Sequence, residues 1–313
     1  MHKSNQPPVI HLDLLCIGHA SYDQVFSIPH HPASDEKMLA DNLLSCGGGP
    51  AANAAVTAAK LGFKAGFCGY LGNDSYGDSH LSELRAHDIN TQLIKRGNSP
   101  TPLSVVLVKP NGDRALINYK GNTQTLAADS VDFSSVKTKT LLFDGHEAPL
   151  SLSALQQAHL KSVPSVLDAG SLHDGTLSLM SRVDYLVCSE KFAIQYAGNP
   201  QTALSQLAAV APWVVITLGE HGLIWQHGQE TGKLNAPTIQ AVDTTGAGDA
   251  FHGAFAAGLA TNMDWQDLLY YASAAGAFCC TKLGARTSLA SREQHDQLLN
   301  SWREIIEPNR LNT

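Results

Sequence analysis

Residues 241–253 read Ala-Val-Asp-Thr-Thr-Gly-Ala-Gly-Asp-Ala-Phe-His-Gly. Asp243, Thr244 and Thr245 lead into Gly246-Ala247-Gly248. Asp249 then opens a stretch in which Phe251, Phe255 and Leu259 fall on one face of a helix. Small residues let the backbone turn sharply and leave its N–H groups unobstructed, and such groups at a helix N-terminus make an anion site. An Asp placed there would repel the anion. It makes sense instead as a base beside a phosphate, taking the proton of a hydroxyl that attacks phosphorus. Taken alone, Gly-Ala-Gly-Asp also fits a tight turn with an Asp cap.

Around this stretch, short apolar strands alternate with helical segments. Strands are expected at Leu14–Ile17, Gly66–Tyr70, Leu141–Phe143, Ser165–Asp168, Tyr185–Cys188, Trp213–Thr217 and Leu223–Gln226. The first six are mostly continuous apolar runs, as strands buried on both faces would be. Pro50–Leu61 reads as a helix, with Pro near its start and Gly62 just past its end. The alternation argues for an α/β layered fold with a largely parallel sheet. Two regions break the rhythm, residues 19–46 and 100–120. The second holds Leu103–Val108 and Ala115–Tyr119 around the turn Pro110-Asn111-Gly112-Asp113, a hairpin signal. Together they predict a small β-element outside the main sheet, placed to cover a site.

The chain has 313 residues, 43% hydrophobic and 16% charged, which is long enough for a full core without staples and excludes extended disorder. We read residues 1–313 as one unit. With 21 Lys+Arg against 28 Asp+Glu, the net charge of -7 argues against a general nucleic-acid or membrane-surface binder. No apolar run is long enough to cross a bilayer, and the first residues lack the apolar core of a signal peptide. The six cysteines sit mostly in apolar runs with no CxxC pair, so reduced, buried thiols in a cytoplasmic protein are expected. Neither HExxH nor a Cys/His zinc spacing occurs.

The whole 241–253 segment resembles the signature of the ribokinase-like (PfkB) carbohydrate kinases. That resemblance implies a three-layer α/β/α sandwich with a β-sheet lid, in which Asp249 is the catalytic base and Gly246, Ala247 and Gly248 form the anion hole. A second stretch, Cys46-Gly-Gly-Gly-Pro-Ala-Ala-Asn-Ala-Ala-Val56, resembles the family's first signature. Aligned through Leu61-Gly62, it implies sugar contacts from Gly48, Gly49 and Asn53. Gly18 and Asp23 match the first-strand glycine and the Asp that accepts from sugar hydroxyls. Thr217-Leu-Gly-Glu-His-Gly222 resembles the nucleotide-side loop, which brings in Thr217, Gly219 and Gly222. Gly284-Ala285-Arg286 resembles the segment flanking the adenine pocket. Backbone oxygens matching Asp243 and Thr245 would help hold a monovalent cation. The implied cofactors are ATP and Mg²⁺, with K⁺ admitted by the same loop, and the family's lids often pair into homodimers.

Two departures qualify the match. Where many members carry Asn-x-x-Glu, this chain reads Ser189-Glu190-Lys191-Phe192, which leaves Glu190 as a partial substitute through a bridging water. Lys37 and Asn118 match residues that, in the ketohexokinase and sulfofructose kinase branch, contact an anionic group of the sugar. His146 stands where that branch has an arginine, and a neutral imidazole lacks the arginine's planar fork. The acceptor expected is therefore a neutral or weakly anionic sugar, a ketose or related compound. Two readings compete: a nucleoside kinase, with Tyr22, Phe26 and Tyr119 as an aromatic floor, and a non-catalytic sugar or nucleotide sensor on the same fold. A dinucleotide-dependent oxidoreductase is disfavoured because no GxGxxG follows the first strand.

Overall fold

The computed structural model describes residues 9–306. In chain order the first elements are β1 (Ile10–Ile17), β2 (Ser21–Ser27), β3 (Asn42–Gly48), α1 (Pro50–Lys60), β4 (Ala65–Cys68), β5 (Tyr70–Gly72), α2 (Ser75–Ala86) and β6 (Lys95–Gly97). There follow β7 (Leu103–Val108), β8 (Arg114–Tyr119), β9 (Val136–Phe143), α3 (Ala148–Leu160), β10 (Ser165–Ala169), α4 (Asp174–Leu179), β11 (Tyr185–Ser189), α5 (Glu190–Ala197) and α6 (Pro200–Leu207). The chain closes with β12 (Trp213–Thr217), β13 (Leu223–His227), β14 (Glu230–Leu234), α7 (Ala247–Leu259), α8 (Trp265–Cys279) and α9 (Arg292–Ile306).

Eight strands form the main sheet in the order β14-β13-β12-β11-β10-β9-β1-β4. The six from β12 to β4 are parallel, and β13 and β14 add an antiparallel edge. Leu15 stands opposite both Gly66 and Leu141 in this register. Strand alternation divides the core in two. Leu14, Cys16, Leu142, Val166, Val187 and Val215 pack with α1, α7 and α8 on one face. Leu15, Ile17, Phe143, Leu167, Leu186 and Ile216 pack with α3 to α6 on the other. Hence the apolar runs carry no period-2 polarity: both neighbours of each residue are buried. The result is a three-layer α/β/α sandwich.

The alanine-rich α1 lies buried against α7, and a Cβ built on Gly253 would come within 2.4 Å of the Ala54 carbonyl oxygen. This backbone-to-backbone approach brings Asn53 of α1 beside the first turn of α7.

A separate four-stranded sheet has the order β3-β2-β7-β8 and is built from the two regions that break the α/β rhythm. Its first part extends past the expected boundary at residue 46, because Gly47 and Gly48 still pair with Tyr22 and Ser21. The expected strand Gly66–Tyr70 is instead two. β4 ends at Cys68, and Tyr70 pairs with Lys95 in a small third sheet. Gly69 is the break, where a Cβ would stand 2.4 Å from the Gly18 carbonyl oxygen. Among the described residues no helix is long and apolar enough to cross a membrane, and all six cysteines are free.

Candidate active site

The loops at the carboxyl ends of β1, β9, β10 and β12 converge with the N-termini of α1 and α7, the place where open parallel sheets bind ligands. Asp144, just past β9, ties three of these pieces together. It accepts hydrogen bonds from the backbone N–H groups of His19 (2.7 Å), Ala51 (3.2 Å) and His146 (2.9 Å).

On the side of the small sheet, Asp23 is 8% exposed and accepts from the Ser21 hydroxyl at 2.7 Å. Burial raises its carboxyl above the ordinary value, while the Ser21 and Ser104 hydroxyls and Arg286 pull it back. Gly48 is required here, since a Cβ would sit 2.1 Å from an Asp23 carboxylate oxygen. Gly49 has φ 94°, a left-handed conformation that glycine adopts without strain. Asp23, Ser104 and Asn118 face one another across β2, β7 and β8, so they share one face of the sheet. Asn118 is exposed there. Lys37 is exposed on the connection between β2 and β3, and no hydrogen bond or ion pair ties it to these residues. His146 is the middle of three imidazoles. Its ring centroid is 5.1 Å from that of His19 and 4.9 Å from that of His173, stacked on the latter. Burial pushes His19 down to about 3, with His146 adding to the shift and Asp144 opposing it.

The 241–253 segment folds largely as its sequence suggests. Gly246 caps α7 with φ 80°, and the helix begins at Ala247, so Asp249 lies inside its first turn rather than at its start. The leading N–H groups of that turn have no helical acceptor. The Asp249 carboxylate accepts from Asn53 Nδ2 at 2.7 Å. Burial raises the Asp249 carboxyl; the Asn53 hydrogen bond and His252 lower it, Asp144 raises it and Arg114 lowers it. One turn on, the buried His252 places Nδ1 2.5 Å from the Gly248 carbonyl oxygen and 3.3 Å from Asp168, and Nε2 3.1 Å from the Val187 carbonyl oxygen. Burial pushes Asp168 up to about 7 against the pull of His252, with Asp249 and Asp144 adding to the rise. Asp243, 1% exposed, uses its carboxylate to shape the loop, accepting from Thr245 N, Thr245 Oγ1 and Gly284 N.

Behind Gly248 opens a cavity of about 810 Å³. Thr217, Gly219 and Gly222 border it with Ala247 and Gly248, and Ala236, Pro237, Ile239, Phe251 and Ala277 give it apolar walls. Glu190 is not part of this lining; it is exposed in the first turn of α5. Ser189 caps that helix by accepting from Phe192 N, and Phe192 is fully buried, so the position expected to carry an acid serves the core. Gly284 also lies outside the lining. Arg286 is 3% exposed and turns away from the expected nucleotide side toward Asn53, to which its Nε donates at 3.1 Å.

The pfkB family carbohydrate kinase model matches residues 11–292. The chain belongs to that family. This pfkB-family kinase is 26% identical over 293 residues to ribokinase of Bacillus subtilis, covering 92% of this chain and 99% of the relative. It is 25% identical over 303 residues to deoxyribokinase of Salmonella typhi, covering 92% and 99%. Its fold matches that of Arabidopsis thaliana ribokinase complexed with ribose and ATP, with a TM-score of 0.80, 23% identity and coverage of 93% and 99%. Asp144, Asp168, His252 and the Asn53-facing role of Arg286 were not expected from the kinase's sequence. Asp144 and Asp168 are lone polar residues at the ends of apolar runs, His252 lies within an apolar helix, and Arg286 follows a short glycine turn; all four have partners remote in sequence.

Glu147, beside the histidine stack, is 6% exposed and accepts from the Leu126 N–H. Burial pushes it up to about 7 from an ordinary 4.5. The stability linked to its proton is therefore complete below the unfolded value and lost as pH rises through about 7. Denaturant unfolding should show wild type losing roughly 3 kcal/mol relative to Glu147→Gln between about pH 4.5 and about pH 8. A difference independent of pH would show that the carboxyl is not buried as described.

Proposed function

We propose that this carbohydrate kinase transfers the γ-phosphate of ATP to a hydroxyl of a small sugar, a ketose or related compound, with Asp249 as base. The observation that carries the reading is the position of Asp249. Its carboxylate is held by Asn53 in the first turn of α7, with the cavity behind Gly248 on one side and buried Asp23 on the other. Asp23, Gly48, Gly49 and Asn53 would hold the sugar, with Asn118, Lys37 and His146 at the rim. Thr217, Gly219 and Gly222 would border the nucleotide, and Glu190 would act only through water.

In this reading the Asp249 carboxylate takes the hydroxyl proton as the oxygen attacks the γ-phosphorus. The bond from that phosphorus to the β–γ bridging oxygen breaks, and ADP leaves. The N–H groups of the Gly246-Ala247-Gly248 turn face the charge that develops on the phosphoryl oxygens. Among the described residues no group of three or more His, Cys, Asp or Glu could cage a metal, which fits an Mg²⁺ carried on the nucleotide phosphates, where it would neutralise charge. The Asp243 carboxylate is occupied within its loop, so a K⁺ would rest on the backbone oxygens of Asp243 and Thr245. The free cysteines support a reducing, cytoplasmic setting.

ADP release with Mg²⁺ and K⁺ across ketoses, aldoses, sugar acids and nucleosides tests the reading. Sugar-dependent release should fall about a hundred- to ten-thousandfold in Asp249→Asn, with the melting temperature and ATP affinity kept. A preference for nucleosides would replace the sugar. ATP binding without release for any acceptor would favour a sensor, and release surviving in Asp249→Asn would sink the base.

We also infer a homodimer through the small sheet. Its edge strands β3 and β8 expose Leu43, Leu116, Ile117 and Tyr119. Light scattering should give twice the chain mass of 33.3 kDa, and Ile117→Glu should halve it. A wild type at the single-chain mass would contradict this.

A further inference from the structure

Arg286 is buried to 3% exposure among residues far from it in the chain. Its Nε donates to Asn53 Oδ1 at 3.1 Å. Its Nη1 stands 3.5 Å from Glu83 Oε1, and its Nη2 stands 3.4 Å from His80 Nε2. Glu83 is anchored in turn, since its Oε2 accepts from Gly47 N at 2.6 Å. The chain of contacts therefore runs Gly47, Glu83, Arg286, Asn53, Asp249.

An asparagine amide has a carbonyl end that only accepts and an NH₂ end that only donates, and a guanidinium has no acceptor at all. With Arg286 on one side, the amide can meet it only through Oδ1. That leaves Nδ2, and no other atom, facing Asp249, where it lies 2.7 Å from a carboxylate oxygen. Were the amide reversed, Oδ1 would confront the carboxylate, and the Asp249 aim would be lost. A buried guanidinium is costly to fold, and apolar replacements of buried ion pairs are often neutral or stabilising. Its retention here coincides with the one amide whose orientation the base depends on.

We propose that Arg286 is a positioning residue for phosphoryl transfer: it fixes the Asn53 amide so that Nδ2 holds the Asp249 carboxylate in line for the acceptor hydroxyl. Arg286 touches neither the 810 Å³ cavity nor Asp249 by hydrogen bond, so it acts through Asn53. Lysine keeps the charge but cannot reproduce the planar Nε–H directed at Oδ1.

The proposal rests on Asp249 being the base, and the test separates the two. Wild type, Arg286→Lys, Asn53→Ala and the double variant are assayed with the best acceptor from the panel above, alongside Asp249→Asn. Arg286→Lys should lower kcat by about tenfold or more, with a smaller rise in KM because Asn53 also faces the sugar, and should add less than about twofold to either in the Asn53→Ala background. Should Arg286→Lys fail to fold, Glu83→Gln takes its place in the cycle and should give a smaller loss that also vanishes with Asn53→Ala. Equal fold-losses in both backgrounds would overturn the relay, as would a loss confined to KM or to melting temperature. If Asp249→Asn retains activity, or if wild type turns over no acceptor, the base reading falls first and the relay with it.

Discussion

The hydrogen bond from Asn53 Nδ2 to Asp249 joins two helices 196 residues apart in the chain, and the rest of the site is arranged around it. It exists because α1 and α7 pack closely enough for Gly253 to meet the Ala54 carbonyl, which the alanines of α1 permit. Gly48 and Gly49 end the β3-to-α1 crossing on one side, and Gly246 caps α7 on the other. Arg286 and Asp144 then hold the two halves from beneath: the first through the Asn53 amide, the second through the backbone entering α1 and leaving β1 and β9.

The same packing sets the electrostatics. Asp23, Asp144 and Asp168 are buried and Asp249 is half-buried within one region, and desolvation raises Asp23, Asp168 and Asp249. The opposing groups are few: Arg286 near Asp23 and Asp249, His252 near Asp168 and Asp249, and Arg114 farther out. A carboxylate short of counter-charge holds a proton more readily, which is what a general base must do at the moment a hydroxyl attacks. It can still give that proton up afterwards, because Asn53 and His252 favour the charged form.

Much of the fold could be read from local pattern. Runs such as Leu14–Ile17 and Tyr185–Cys188 are strands because both faces are covered, and the hairpin around Asn111-Gly112 forms as its turn chemistry requires. The 241–253 segment and the glycines before α1 were legible because glycine at a helix entry leaves a mark in sequence. What escaped has a common cause. Gly69 looked like the interior of a strand, and only its approach to the Gly18 carbonyl shows why β4 stops there. Phe192 reads as the loss of an acid, whereas the structure uses it to seal the core under α5. Arg286 sits in a polar run near the C-terminus and looked like a nucleotide neighbour; its partners Asn53 and Glu83 come from α1 and α2. Spacing along a chain says nothing about which remote side chains will share a buried space.

In the proposed reaction, the position of Asp249 between α1 and α7 is what suits it to act as a base. Titrating the aspartate carboxyl carbons by NMR tests it most directly, with the Asp249 signal assigned by its absence in Asp249→Asn. The midpoint should lie above the ordinary carboxylate value of 3.8. A midpoint at or below 3.8 would mean that Asn53 and the nearby cations outweigh burial, and that Asp249 is not poised as the proposed base.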